Sequence, residues 1–116
     1  MTKTKEELIS IFREGKKEEV KTYLRENPDW NVNEGLDGYG STALHFACSF
    51  GHHEIVSLLA AHPQIKVNQK NIFGQTPFSV GCLNAKEEVA KVLLGDNRVD
   101  INLADDGEKT LLWYAS

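Results

Sequence analysis

The sequence predicts an all-α fold, a solenoid of stacked helical units, and three recurrences predict it. The first is a threonine-led segment. Gly40-Ser41-Thr42-Ala43-Leu44-His45-Phe46-Ala47 is echoed by Gly74-Gln75-Thr76-Pro77-Phe78-Ser79-Val80-Gly81 and, less closely, by Thr110-Leu111-Leu112-Trp113-Tyr114-Ala115. The three threonines stand 34 residues apart. A fixed period of this length means stacked supersecondary units rather than one globular core. The second is a charged segment with apolar residues at helical spacing: Val20, Tyr23, Leu24; Ile55, Val56, Leu59; Val89, Val92, Leu93. The third is an apolar, polar, β-branched, Asn pattern in Trp30-Asn31-Val32-Asn33, Ile65-Lys66-Val67-Asn68 and Val99-Asp100-Ile101-Asn102.

Each element follows in order. Leu8, Ile9 and Phe12 mark a first helix, and Val20, Tyr23 and Leu24 a second. This opening unit lacks the threonine signature and is more polar, as a capping repeat requires. The Asn-ended segments read as short extended arms that bury one side, with Pro28 and Pro63 stopping the helices before them. Thr42 and Thr76 sit where a helix should begin, and each hydroxyl can accept from an orphan N–H of the first turn. Pro77 suits the first helical position, where its missing N–H costs nothing. Gly51 offers a left-handed cap at the end of that helix. The next unit has Ala85 in that place, so Asn84 is expected to take the left-handed conformation instead. Gly81, inside a helix, is expected to weaken it by roughly 0.5–1 kcal/mol. The units so defined are residues 1–36 (cap), 37–70, 71–104 and a truncated 105–116. That last unit would leave Leu111, Leu112, Trp113 and Tyr114 without a covering helix, which suggests a longer protein or self-association through an uncapped C-terminal end.

Composition narrows the function. The chain has 116 residues, 41% hydrophobic and 26% charged, with a net charge of −4. These are ordinary values for a folded domain. Lys3, Lys5, Lys16 and Lys17 are interleaved with Glu6, Glu7, Glu18 and Glu19, so no basic stripe points to nucleic acid. No apolar run is long enough to cross a bilayer, and the first residues lack the apolar stretch of a secretory signal. Two cysteines are too few for a disulfide scaffold, and the expected location is intracellular, in the cytoplasm.

Thr42-Ala43-Leu44-His45-Phe46-Ala47, followed by Gly51-His52 and by Ile55, Val56 and Leu59, resembles the ankyrin repeat family, whose signature is T-P-L-H-x-A. The second unit keeps Gly74, Thr76, Pro77, Val89, Leu93 and Leu94, but has Phe78 and Ser79 for Leu and His. The third keeps Thr110, Leu112 and Ala115, with Trp113 in the histidine place. The resemblance runs from about Glu6 to the end and implies a helical solenoid of L-shaped units, with antiparallel helix pairs and short projecting β-hairpin turns. It also implies protein binding through the hairpin tips and the concave face of the first helices. Carried over, the contact positions are Tyr39, Ser41, Ser49 and Phe50 in one unit and Ile72, Phe73, Gln75, Leu83 and Asn84 in the next. In the third they are Asp106 and Lys109. Thr42, Leu44, His45, Gly51, Thr76, Pro77 and Thr110 are then structural. His45 is implied to tie neighbouring hairpins through their backbones. Residue chemistry agrees in part, since Tyr39, Ile72 and Phe73 lie in glycine-flanked turns where a repeat core does not need them. Tyr39 and Phe73 either contact a partner or pack on the neighbouring hairpin.

Candidate chemistry is sparse. His52-His53-Glu54 is not H-E-x-x-H and no C-x-x-C occurs, so neither metal nor cofactor is expected. Cys48 and Cys82 occupy equivalent sites on adjacent helices, too far apart for a disulfide, and read as small buried residues. His52, His53 and His62 read as surface or loop residues. Gly107-Glu108-Lys109-Thr110 lacks the upstream glycine of a phosphate loop. The expected function is a non-enzymatic scaffold for another protein, without nucleic acid or membrane insertion. The alternative is a targeting or autoinhibitory module of a longer enzyme or signalling protein.

Overall fold

The computed structural model describes residues 3–100, and in them six helices alternate in two layers. They are α1 (Lys5–Glu14), α2 (Lys17–Glu26), α3 (Ala43–Ser49), α4 (His53–Ala60), α5 (Pro77–Leu83) and α6 (Glu87–Leu94). Helix α3 packs between α1 and α5, while α4 packs between α2 and α6; α1·α2, α3·α4 and α5·α6 are the pairs within units. No strand forms among the described residues, and the hairpins between units are built from turns.

Threonine starts each inner helix. The Thr42 and Thr76 hydroxyls accept from the backbone N–H groups of His45 and Ser79, and Pro77 opens α5. Thr4 does the same for α1 and forms a capping box with Glu7. The N-terminal unit therefore does carry a threonine cap, 38 residues before Thr42 rather than 34. The longer spacing hides it from a search at one period.

The core follows the repeat. Leu8, Ile11 and Phe12 of α1, Leu44, Ala47 and Cys48 of α3, and Phe78 of α5 are buried against Val20, Ile55, Val56, Leu59, Val89 and Leu93 of the outer helices. Trp30 closes the first unit. Its ring stacks on Phe12, meets Tyr23 edge-on at 5.2 Å, and donates its N–H to Glu34.

Several local expectations are corrected. The segments Trp30–Asn33 and Ile65–Asn68 are not extended. They run through tight turns, closed in the first by Trp30 N–H to Asn27 O at 3.0 Å and Glu34 N–H to Asn31 O at 3.1 Å, and in the second by Ile65 N–H to His62 O at 3.2 Å and Gln69 N–H to Lys66 O at 3.3 Å. Alternating burial survives because Val32 and Val67 still point inward. Asn33 donates to Gln64 O at 2.8 Å and accepts from Lys66 N–H at 2.9 Å. Asn68 repeats this clamp on Arg98 O and Asp100 N–H. Each Asn thus fastens its loop to that of the next unit.

The left-handed cap of α5 is Ala85 itself, at φ 56°, while Asn84 stays at φ −95°. The cap bonds fix this register: Lys86 N–H reaches Gly81 O at 2.9 Å, and Asn84 Nδ2 donates to Val80 O. Gly81 is more than a weak helix residue. A Cβ there would lie 3.1 Å from Val89 Cγ1, so glycine lets α5 and α6 approach. Cys82 is only partly buried, unlike Cys48; both thiols are free. His52 is not a plain surface residue. Its Nε2 bonds Arg13 O at 2.7 Å, and its ring lies where a side chain on left-handed Gly15 would go. Thr110 and residues 101–116 as a whole, including the contact positions Asp106 and Lys109, lie outside the described residues.

Candidate interaction surface

The two described tips have the same local construction. Asp37 Oδ1 accepts from Tyr39 N–H and Ser41 N–H at 2.9 and 3.0 Å. Asn71 Oδ1 accepts from Phe73 N–H and Gln75 N–H at 2.9 and 3.1 Å. Such Asx turns hold the backbone around Gly40 and Gly74, both of which have positive φ. The tips are joined by Ile72 N–H to Tyr39 O at 2.9 Å.

This construction aims the aromatic residues outward and against each other. The Tyr39 and Phe73 rings stack with centroids 5.5 Å apart and planes inclined by 29°. They remain 54% and 48% exposed, so each ring packs on the neighbouring hairpin and still presents a free face. Phe50 and Leu83, at the ends of α3 and α5, are also exposed, and Ile72 more so.

Between the tips and the inner helices runs a groove of about 320 Å³. It brings together Tyr39, Ser41, Ser49, Phe50, Phe73, Gln75, Leu83 and Asn84 of the contact positions given above. Ile72 is not among its lining residues. Phe46, Val80, Asn71 and His45 line it as well. Sequence reasoning read His45 as structural and passed over the other three, although Phe46 and Val80 stand one period apart, as do Asp37 and Asn71. Most of the lining consists of such pairs: Tyr39 with Phe73, Ser41 with Gln75, Ser49 with Leu83, Phe50 with Asn84. The groove is the seam between two copies of one unit.

His45 is its floor and is buried. Nδ1 accepts from Thr42 N–H at 3.1 Å and lies 2.9 Å from the Thr42 hydroxyl. Nε2 lies 2.8 Å from Gln75 O in the next hairpin. With Nδ1 accepting, Nε2 carries the proton and donates across the unit boundary. Burial pushes the imidazole pKa down, against the opposing pull of the Gln75 carbonyl and of Asp37. Burial pushes both the Cys48 and Cys82 thiols up, so neither is an activated nucleophile. Among the described residues no cluster of three or more His, Cys, Asp or Glu could hold a metal, and no helix is long and apolar enough to cross a membrane.

The repeat period, the helix pairs and the histidine bridge meet in one comparison. The family described as ankyrin repeats (3 copies) matches residues 8–116. The chain belongs to the ankyrin repeat family. Its repeats are of a kind that serves as a protein-interaction module. Over 81 residues, or 62% of this chain, it is 37% identical to the ankyrin repeat and LEM domain-containing protein 2 of Mus musculus, covering 8% of that protein. Over 89 residues, or 77% of the chain, it is 36% identical to the probable E3 ubiquitin-protein ligase XBOS32 of Oryza sativa subsp. japonica, covering 18% of it. Osteoclast-stimulating factor 1 of Bos taurus is 48% identical over 50 residues, 42% of this chain and 23% of that protein. The chain thus spans less than a quarter of each of these relatives.

Proposed function

We propose that this ankyrin array is a non-enzymatic scaffold that holds another protein through its hairpin tips and the face of its inner helices. Its units are taken as residues 1–36, 37–70, 71–104 and 105–116. One observation carries the reading: aromatic and aliphatic side chains that the repeat core does not need line a single groove between two units, half-exposed. Tyrosine and phenylalanine so placed bury large area at small entropic cost, as interface anchors do. The groove gathers no set of convergent titratable groups, so no reaction is assigned to it. Free thiols fit an intracellular, cytoplasmic setting.

The test is a Tyr39→Ala/Phe73→Ala double variant. Losing the ring stack should lower stability by about 0.5–1.5 kcal/mol, leaving a folded array. Cross-linking with mass spectrometry on the wild type should place the partner on residues of the groove, and the variant should lose that cross-linked product. Retention of the same product by a folded variant would refute the tip assignment.

A second reading has its own support. The chain spans only small shares of relatives that include a probable E3 ubiquitin-protein ligase. On that reading the array is the targeting part of a larger protein, and the groove selects what the rest acts upon.

A further inference from the structure

The groove lining has a chemistry that narrows its partner. The chain is 26% charged, yet the groove is lined by no Asp, Glu, Lys or Arg. A charged ligand segment would be desolvated there without a counter-ion. What the groove offers is ring faces from Tyr39, Phe73 and Phe50, together with hydroxyls and amides. Gln75 is the informative amide. Its Oε1 already accepts from Asn71 Nδ2 at 3.2 Å, and its Nε2 is a donor on a residue that lines the groove. Flat apolar faces beside an amide donor suit a backbone that presents carbonyls and bulky rings.

We propose, resting on the scaffold reading above, that the groove takes an uncharged proline-rich segment in the polyproline II conformation. Such a segment has its carbonyls free of internal hydrogen bonds and is extended before it binds. Aromatic-lined grooves exploit that preformed shape. The period fits too. Three residues of polyproline II advance about 9 Å, close to the roughly 8–10 Å between packed helices. A side chain on every third residue therefore keeps step with the inner helices, first α3 and then α5. A groove of about 320 Å³ receives a few side chains rather than the face of a helix. Because the lining is neutral, binding should change little with salt.

The experiment titrates the 116-residue chain with three fluorescein-labelled uncharged peptides. One has proline at every third position, one has alanine in those places, and one is a leucine-rich helix former. Binding is read by anisotropy and by amide NMR shifts of Ser49, Gln75 and Asn84. The proline peptide should saturate below roughly 1 mM, shift those amides, and bind equally at low and high salt. Tyr39→Ala should weaken it at least about tenfold. Gln75→Glu, nearly the same shape but without the donor, should do likewise while its melting curve shows a folded array. Equal binding of the alanine peptide, or full affinity of a folded Gln75→Glu, overturns the proposal. If only the helical peptide shifts these amides, the proline proposal fails and the groove remains the docking site. If no peptide shifts them and the folded Tyr39→Ala/Phe73→Ala variant keeps the wild-type cross-linked product, both readings fail.

Discussion

His45 joins two units through one neutral ring, and that makes it sensitive to acid. Its pKa is depressed below the ordinary 6.5 in the folded chain, chiefly by burial. An unfolded chain therefore takes up the proton first as pH falls. The stabilisation is present in full above about pH 6.5 and is lost as pH drops through the folded value. A protonated ring also gives up its Nδ1 acceptor, leaving Thr42 N–H unpaired. Melting midpoints should therefore fall between about pH 7 and pH 5, and fall less in His45→Gln. The lowered carboxylates Glu7, Glu14, Glu54 and Asp96 act in more acid solution, since their ordinary values are 4.5 and 3.8. A flat midpoint across that range would exclude His45 as a titrating joint. The role of this residue was implied by the family resemblance that Thr42-Ala43-Leu44-His45 carries. The bond from His52 to Arg13 O was not, because nothing in the chain's local pattern marks a contact 39 residues away.

Helix ends show where pattern and physics diverge. Gly15 and Gly51 take left-handed backbone angles at the ends of α1 and α3, and Ala85 takes the same conformation after α5. A left-handed L-residue costs about 1–2 kcal/mol, and glycine loses roughly 0.5–1 kcal/mol more backbone freedom on folding. The difference favours Ala85→Gly by about 0.5–1 kcal/mol, measurable as a higher urea midpoint at unchanged slope. A lower midpoint would mean that the Ala85 side chain has contacts worth more than its strain. The repeat alignment located this defect, but assigned the strain to Asn84 because asparagine tolerates that conformation better. Bond register decided otherwise, since only Ala85 in that conformation lets Lys86 N–H reach Gly81 O. The turns around Asn33 and Asn68 were hidden for a related reason. Their alternating burial imitates a strand, and the Asn clamps that hold the turned loops reach 30 to 33 residues away.

At the scale of the whole molecule, the array is a stack in which each unit relies on its neighbours, and Cys48 sits at one of those junctions. It is fully buried, its Cβ lies 3.7 Å from the position a Cβ on Gly81 would occupy, and its thiol is held protonated by burial. Reagents can reach it only when α5 lifts from α3. Cys82 is partly exposed and should react first. The groove spans the same α3–α5 seam; its tip positions came from the family resemblance, and packing of Tyr39 and Phe73 on the neighbouring hairpin was one of two readings the sequence left open. A stable seam is thus a condition for a binding surface, and its opening can be measured through Cys48. When opening is fast relative to labelling, the alkylation rate follows the population of the open form. Stabilising α5 by about 0.5–1 kcal/mol through Ala85→Gly should then slow Cys48 labelling about two- to fivefold. It should leave the faster Cys82 reaction nearly unchanged. Mass spectrometry of peptides labelled with iodoacetamide separates the two rates. An unaltered Cys48 rate in a variant of higher urea midpoint would mean that Cys48 is exposed by a route that leaves the α5 cap closed, and that the seam is not held by α5.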